Sequence, residues 1–124
     1  MKTAADVMKQ PVVDIYPDAT VADAVQKMKQ SNVTSLLVQR KSPGDTWGFI
    51  SQTDIVEKVV AEGLEPADTL VRDIMTKRVI TVSPNFSLMD CAALMARADI
   101  HRVLVFDGQD IVGIVSGSDI FSAL

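Results

Sequence analysis

Two spacings of apolar residues alternate along this chain. Val21, Ala24, Val25 and Met28 fall at i, i+3, i+4 and i+7, and Leu88, Cys91, Ala92 and Met95 repeat that stripe. Each stripe predicts a helix with one buried face. Thr20, with Asp23 three residues on, predicts a capped start for the first helix. Its end is expected near Ser31 and Asn32. Short apolar runs over residues 12–16, 36–39 and 47–51 predict strands, bounded by Pro17 and by the turn Pro43-Gly44-Asp45. Ile55, Val56, Val59 and Val60 predict one apolar face of a second helix over 53–61, stopped by Gly63.

The same order then recurs. At an offset of 67, Asp6-Val7-Met8 falls on Asp73-Ile74-Met75, Pro17 on Pro84, Asp23 on Asp90 and Leu37-Val38 on Leu104-Val105. The loop after each Val differs by two residues, and the register resumes at 65, where residues 48–55 fall on 113–120. Eight positions are identical at the first offset and four at the second, Gly, Pro and Asp among them. A chain written twice is expected to fold as two copies of one unit. Each copy reads strand, helix, strand, strand, helix, an α/β (α+β) arrangement. The expected repeats are residues 1–63 and 71–124, joined by a linker at 64–70. The last helix of repeat two, from Ser118 to Leu124, is shorter than its twin. Units of ~60 residues bury too little surface to stand comfortably alone. The two are therefore expected to pack about a pseudo-twofold axis, with corresponding loops in a shared cleft.

Composition narrows the function. The 124 residues carry 12 basic and 16 acidic side chains, a net charge of −4. Phosphate-neutralising nucleic-acid binders usually carry a basic surplus, so none is expected here. The chain has one Cys and one His, too few for a nitrogen/sulfur zinc site, and no internal disulfide is possible. Cys91, on the helical stripe, reads as a small core residue. No apolar run approaches the ~20 residues that span a bilayer, and no signal peptide is evident. A cytoplasmic protein without membrane partners is expected. No phosphate-binding G-x-x-x-x-G-K-[ST] or G-x-G-x-x-G is present, and the carboxylates are scattered. No catalytic residue, metal site or required cofactor is expected.

The candidate chemistry lies in G-x-x-S-x-[TS]-D, present as residues 48–54 and again as 113–119. Gly admits a close backbone approach. The hydroxyls can donate to phosphate, and an ionised Asp can receive both hydroxyls of a ribose. The segment opens a helix, whose free N–H groups favour an anion. Ser or Thr before Asp is also ordinary helix capping. Duplication at matched positions, each with its Gly, favours the ligand reading.

In these features the chain resembles a pair of cystathionine-β-synthase (CBS) domains, the tandem called a Bateman module. The matching elements are D-[VI]-M opening each half, [VI]-x-[VI]-x-P closing the first strand, and the Gly-to-Asp loop. The resemblance covers nearly the whole chain. It implies a regulatory module binding an adenosine-containing ligand, AMP, ADP, ATP or S-adenosylmethionine. It places Asp54 and Asp119 on ribose hydroxyls, and Ser51, Thr53, Ser116 and Ser118 on phosphate or ribose. Val12, Val13, Val79, Ile80 and Thr81 would border the adenine. His101 and Arg102 would reach phosphate across the cleft, at the Asp54 loop. Thr34-Ser35 stands at the matching place in half one, so the Asp54 site is expected to be the better one. Many CBS halves have Pro where Leu37 and Leu104 stand, a change expected to alter packing more than binding. A homodimer through the helices and an unidentified effector protein are implied partners. A ligand-independent interaction module is the alternative.

Overall fold

A computed structural model describes residues 2–124. In chain order its elements are α1 (Ala4–Val7), β1 (Asp14–Ile15), α2 (Val21–Ser31), β2 (Ser35–Val38), β3 (Gly48–Ser51) and α3 (Gln52–Ile55). A π-helical turn, Val56–Val60, extends α3, and a 3-10 turn, Pro66–Asp68, follows. Then come α4 (Val71–Ile74), β4 (Thr81–Val82), α5 (Leu88–Ala98), β5 (Arg102–Phe106), β6 (Ile111–Ser116) and α6 (Gly117–Ser122). The predicted strands and long helices are present. Strand 12–16 is shorter, at Asp14–Ile15, and the helical turns α1 and α4 were not anticipated.

The chain divides into two compact units. The first is Val13–Arg78. The second combines the chain up to Val12 with Val79–Leu124. These units do not coincide with the sequence repeats. Each repeat's opening segment is built into the unit that holds the other repeat's sheet.

Both units share one strand order and register. The first has a sheet in the order β1-β2-β3 and the second β4-β5-β6. Asp14 pairs with Leu37 in parallel, and Leu37 with Phe49 antiparallel. Thr81, Leu104 and Ile114 repeat this register. The helix between the parallel strands provides the crossover that parallel pairing requires. The short helices dock through equivalent hydrogen bonds. Val71 N–H donates to Ala19 (2.8 Å) and Arg72 to Pro17 (3.0 Å). Ala4 donates to Phe86 (2.8 Å) and Ala5 to Pro84 (3.0 Å).

Two sequence motifs meet in this docking. A Cβ added to Gly113 would lie 2.8 Å from Met8 Cβ, and one added to Gly48 would lie 2.8 Å from the Thr76 carbonyl and 3.1 Å from Met75 Sδ. The methionine of D-[VI]-M thus packs on the glycine of the Gly-to-Asp loop. That packing gives both glycines a structural reason beside the expected ligand approach.

Helix ends follow local chemistry. Asn32 and Asp99, at matched positions, end α2 and α5 in the left-handed conformation. Val33 then donates to Met28 (3.0 Å) and Ile100 to Met95 (3.1 Å), the bonds of a Schellman end. Gly63, at φ +69°, stops the π turn as predicted. In the loop between β5 and β6, Asp107 accepts the N–H groups of Gln109 (2.8 Å) and Asp110 (2.9 Å). Those backbone bonds hold its carboxyl below the usual carboxylate range.

The core of the first unit gathers Val21, Ala24 and Met28 from α2 with Leu36, Val38, Ile50, Val59 and Val71. The second gathers Cys91 and Met95 with Val103, Val105, Val115 and Ala4. Ala92, expected on the buried stripe of α5, is exposed, while Leu94 packs against the core. Ile55 and Val59 are buried, but Val56 and Val60 are exposed, so the predicted apolar face is narrower than expected. Cys91 is fully buried. Burial pushes its thiol above the ordinary value, with the charge of Asp90 adding to the effect. Since the thiolate is the nucleophile, the native protein should react with Ellman's reagent at least about tenfold more slowly than the denatured chain. Equal rates would place Cys91 outside the core.

Candidate functional site

The two Gly-to-Asp loops are built by the same local bonds. In the first unit, Ser51 caps α3. Its Oγ accepts the Asp54 N–H at 3.1 Å, while Asp54 Oδ2 accepts the Ser51 N–H and hydroxyl, each at 3.0 Å. In the second, Ser116 Oγ accepts the Asp119 N–H at 3.3 Å, and Asp119 Oδ2 accepts the Ser116 N–H (2.8 Å) and hydroxyl (2.9 Å). These are reciprocal capping boxes, each worth about 0.5–2 kcal/mol to its helix. Ser51 and Ser116 are therefore engaged as structural caps. Thr53 and Ser118 are exposed, and neither hydroxyl has a protein partner among the described residues. Of the predicted hydroxyls, these two are available to an incoming anion.

Each aspartate also meets a lysine that the sequence reading did not single out. Lys58 Nζ lies 3.2 Å from Asp54 Oδ1 and donates to the Ile74 carbonyl at 3.0 Å. Lys9 Nζ lies 3.5 Å from Asp119 Oδ1. The lysines do not occupy equivalent positions of the repeat. Lys58 stands one turn after Asp54, a spacing visible in the sequence. Lys9 arrives from the opening segment, whose backbone pairs with Ile114 on β6. Only the fold brings Lys9 to Asp119, so no local signal could have found it. Both aspartates are shielded from solvent, at 19% and 8% side-chain exposure.

The strand segments expected to border a base lie near the loops' own sheets. Val13 and Ile80 carbonyls accept from Leu37 (3.0 Å) and Leu104 (2.9 Å), which extends each parallel pairing. Val12, Val13, Val79 and Ile80 are half-buried, and Thr81 is exposed. The chain passes between units at Val12/Val13 and at Arg78/Val79, nearly the same point of each repeat. His101 and Arg102 belong to the second unit, with Asp119, whereas Asp54 belongs to the first. His101 is exposed, and its carbonyl accepts the Gly117 N–H at 3.3 Å. Arg102 is half-buried and stands opposite Ser116 in the β5–β6 register. Trp47 lies under Arg40, whose guanidinium is 4.0 Å from the ring centre.

The CBS-domain family profile matches residues 4–61 and again 71–124. The chain belongs to the CBS-domain family. It is a tandem CBS pair, and such pairs are generally regulatory ligand-binding modules. A CBS domain-containing protein of Bacillus subtilis, YhcV, is 32% identical over 120 residues, 97% of this chain and 84% of that protein. A hexameric CBS-CP12 protein from bloom-forming cyanobacteria is 39% identical with a TM-score of 0.90, over 98% of this chain and 70% of that one. An inosine-5'-monophosphate dehydrogenase of Korarchaeum cryptofilum is 27% identical over 124 residues, 24% of its length. The pair thus resembles both CBS-domain proteins and one part of a larger enzyme. No helix among the described residues is long and apolar enough to cross a membrane.

Proposed function

We propose that this CBS pair is a non-catalytic sensor of adenine nucleotides, AMP, ADP or ATP, acting in the cytoplasm on a partner protein. One observation carries the reading. The Ser-x-[Thr/Ser]-Asp loop occurs twice, each time with an exposed hydroxyl, Thr53 or Ser118, beside a shielded aspartate. The aspartate suits a ribose diol and the hydroxyl suits a phosphate. Val12-Val13 and Val79-Ile80-Thr81 supply apolar strand ends for the base. His101 and Arg102 supply cationic donors, and Arg102 can grip phosphate with two N–H groups. A nucleotide that binds one arrangement of the pair more tightly shifts the population toward it, and a partner reads the shift.

Self-association is part of the proposal. Val56, Val60, Phe121 and Leu124 are exposed on or just beyond the last helix of each repeat. Ile55 and Val59, on the same predicted apolar face, are core residues and take no part. The hexameric cyanobacterial relative supports assembly of such pairs.

Calorimetric titration with AMP, ADP, ATP and S-adenosylmethionine tests the reading. At least one adenine nucleotide should bind saturably. Asp54→Ala or Asp119→Ala should weaken that binding about tenfold or more, and Arg102→Ala should weaken it comparably. Melting temperatures of the variants separate lost binding from lost fold, because Asp→Ala also removes a cap. Absence of heat with every ligand, with an unchanged melting temperature at millimolar nucleotide, would favour a ligand-independent interaction module. Tight binding of S-adenosylmethionine alone would keep the sensor and replace its ligand.

A further inference from the structure

The two loops are alike in motif and bonding, yet the lysine that holds each aspartate is held differently. We infer that Lys9 is the ligand-responsive cation of the pair, and that it makes the Asp119 loop selective for phosphorylated nucleosides over the bare nucleoside. The inference rests on the nucleotide reading above and refines it.

A carboxylate offers about four acceptor positions. At Asp119, Oδ2 already receives two donors from Ser116, and the Lys9 ammonium stands over Oδ1 at 3.5 Å as an ion pair, in the way of an incoming donor. At Asp54, Ser51 and Lys58 fill the same places. About one position therefore remains on each, and a ribose diol brings two donors. Neither aspartate can take both ribose hydroxyls until its lysine withdraws from Oδ1.

The two withdrawals differ. Lys58 also donates to the Ile74 carbonyl at 3.0 Å, so it stays tethered when Asp54 releases it. Lys9 is 76% exposed, and its side chain has no other partner among the described residues. Its backbone is fixed by donating to Ile114 at 2.9 Å, so its ammonium swings from an anchored stem. Released from Asp119, that ammonium is free at the loop that also carries the exposed Ser118 hydroxyl. A phosphate re-pairs it there, whereas bare adenosine leaves it unpaired. Lysine suits this work, being a compact charge on a flexible stem. Sequence alone ranked the Asp54 loop first, from His101 and Arg102. The lysine geometry instead puts the phosphate preference on Asp119.

The test is a site-resolved titration of the full 15N-labelled chain with ADP and with adenosine. The Gly117 amide reports the Asp119 loop, and the Gln52 amide reports the Asp54 loop. At Gly117, ADP should bind about tenfold or more tightly than adenosine, through one added charge-assisted contact. Lys9→Gln should bring that ratio to about threefold or less, and Lys9→Arg should restore most of it. Lys29→Gln, an exposed charge on α2, should leave it unchanged. The ratio should shrink at high salt, since the contact is exposed to screening. Equal affinity for ADP and adenosine at Gly117 in the wild type would overturn the inference while leaving the sensor reading intact. So would a ratio that survives Lys9→Gln, or one that falls in Lys58→Gln instead. No saturable shift with either ligand up to millimolar concentration would overturn the sensor reading and this inference with it.

Discussion

Residues 13–78 expressed alone should fold, and residues 1–63 expressed alone should not. Both fragments contain one complete strand, helix, strand, strand, helix repeat. Only the first contains α4, which places Val71 and Ile74 in the same core as Val21, Ala24 and Val59. Losing two buried aliphatic side chains removes about 3–6 kcal/mol, comparable with the whole stability of a small domain. The shorter cut also removes Thr76, which exchanges two backbone hydrogen bonds of 2.9 Å with Phe49. Far-UV circular dichroism and urea titration decide the matter. The 13–78 fragment should show a cooperative transition and the 1–63 fragment none. Equal cooperative melting of both would mean that the opening segments contribute little to the unit they join.

Gly48→Ala should destabilise the whole protein by about 2–3 kcal/mol, the upper range for one added methyl in a packed site. The obstacle is the Thr76 carbonyl, 2.8 Å from the new Cβ and pinned by its bond to Phe49. Gly113→Ala should cost a similar amount for a different reason. There the neighbour is the Met8 side chain, which can be trimmed. In double mutants, Met8→Gly, which removes Cβ as well as Cγ and Sδ, should recover about 1–2 kcal/mol of the strain in Gly113→Ala once the intrinsic cost of Met8→Gly is subtracted. Met75→Ala should recover little of the Gly48→Ala loss, because a backbone atom stands in the way. Urea midpoints of the wild type, the four single mutants and the two double mutants measure both couplings. Equal recovery in the two pairs would show that methionine crowding, and not the carbonyl, governs both sites.

What the sequence made legible was local or repeated. Caps such as Thr20 with Asp23, the left-handed stop at Gly63 and the stripe of α2 are written within a few neighbouring residues. The duplication located both loops. The exchange of opening segments was hidden, because α1 and α4 are single turns with no period to detect. Their identity comes from docking bonds, such as Val71 to Ala19. The packing of Met8 on Gly113 and of Met75 on Gly48 was hidden, because each methionine lies far from its glycine in the chain. Val56 and Val60 fit an apolar stripe by spacing, but the π turn leaves them outside. Lys58 was readable from its spacing to Asp54. Lys9 was not, since only tertiary pairing with Ile114 delivers it to Asp119.

The passage of the chain between units at Val12 and Val79 has a kinetic side. The first unit is closed by residues contiguous in sequence, so a growing chain can complete it before the sheet of the second repeat is made. The second unit must wait for β6. Its opening segment precedes the first unit in sequence, and its partner strand β6 follows it. That pairing closes a long loop, which raises the entropic cost of joining them and slows the step. Two units with the same register and the same docking bonds are therefore unequal in the order of their making. The Asp54 loop belongs to the early unit, and the Asp119 loop to the late one.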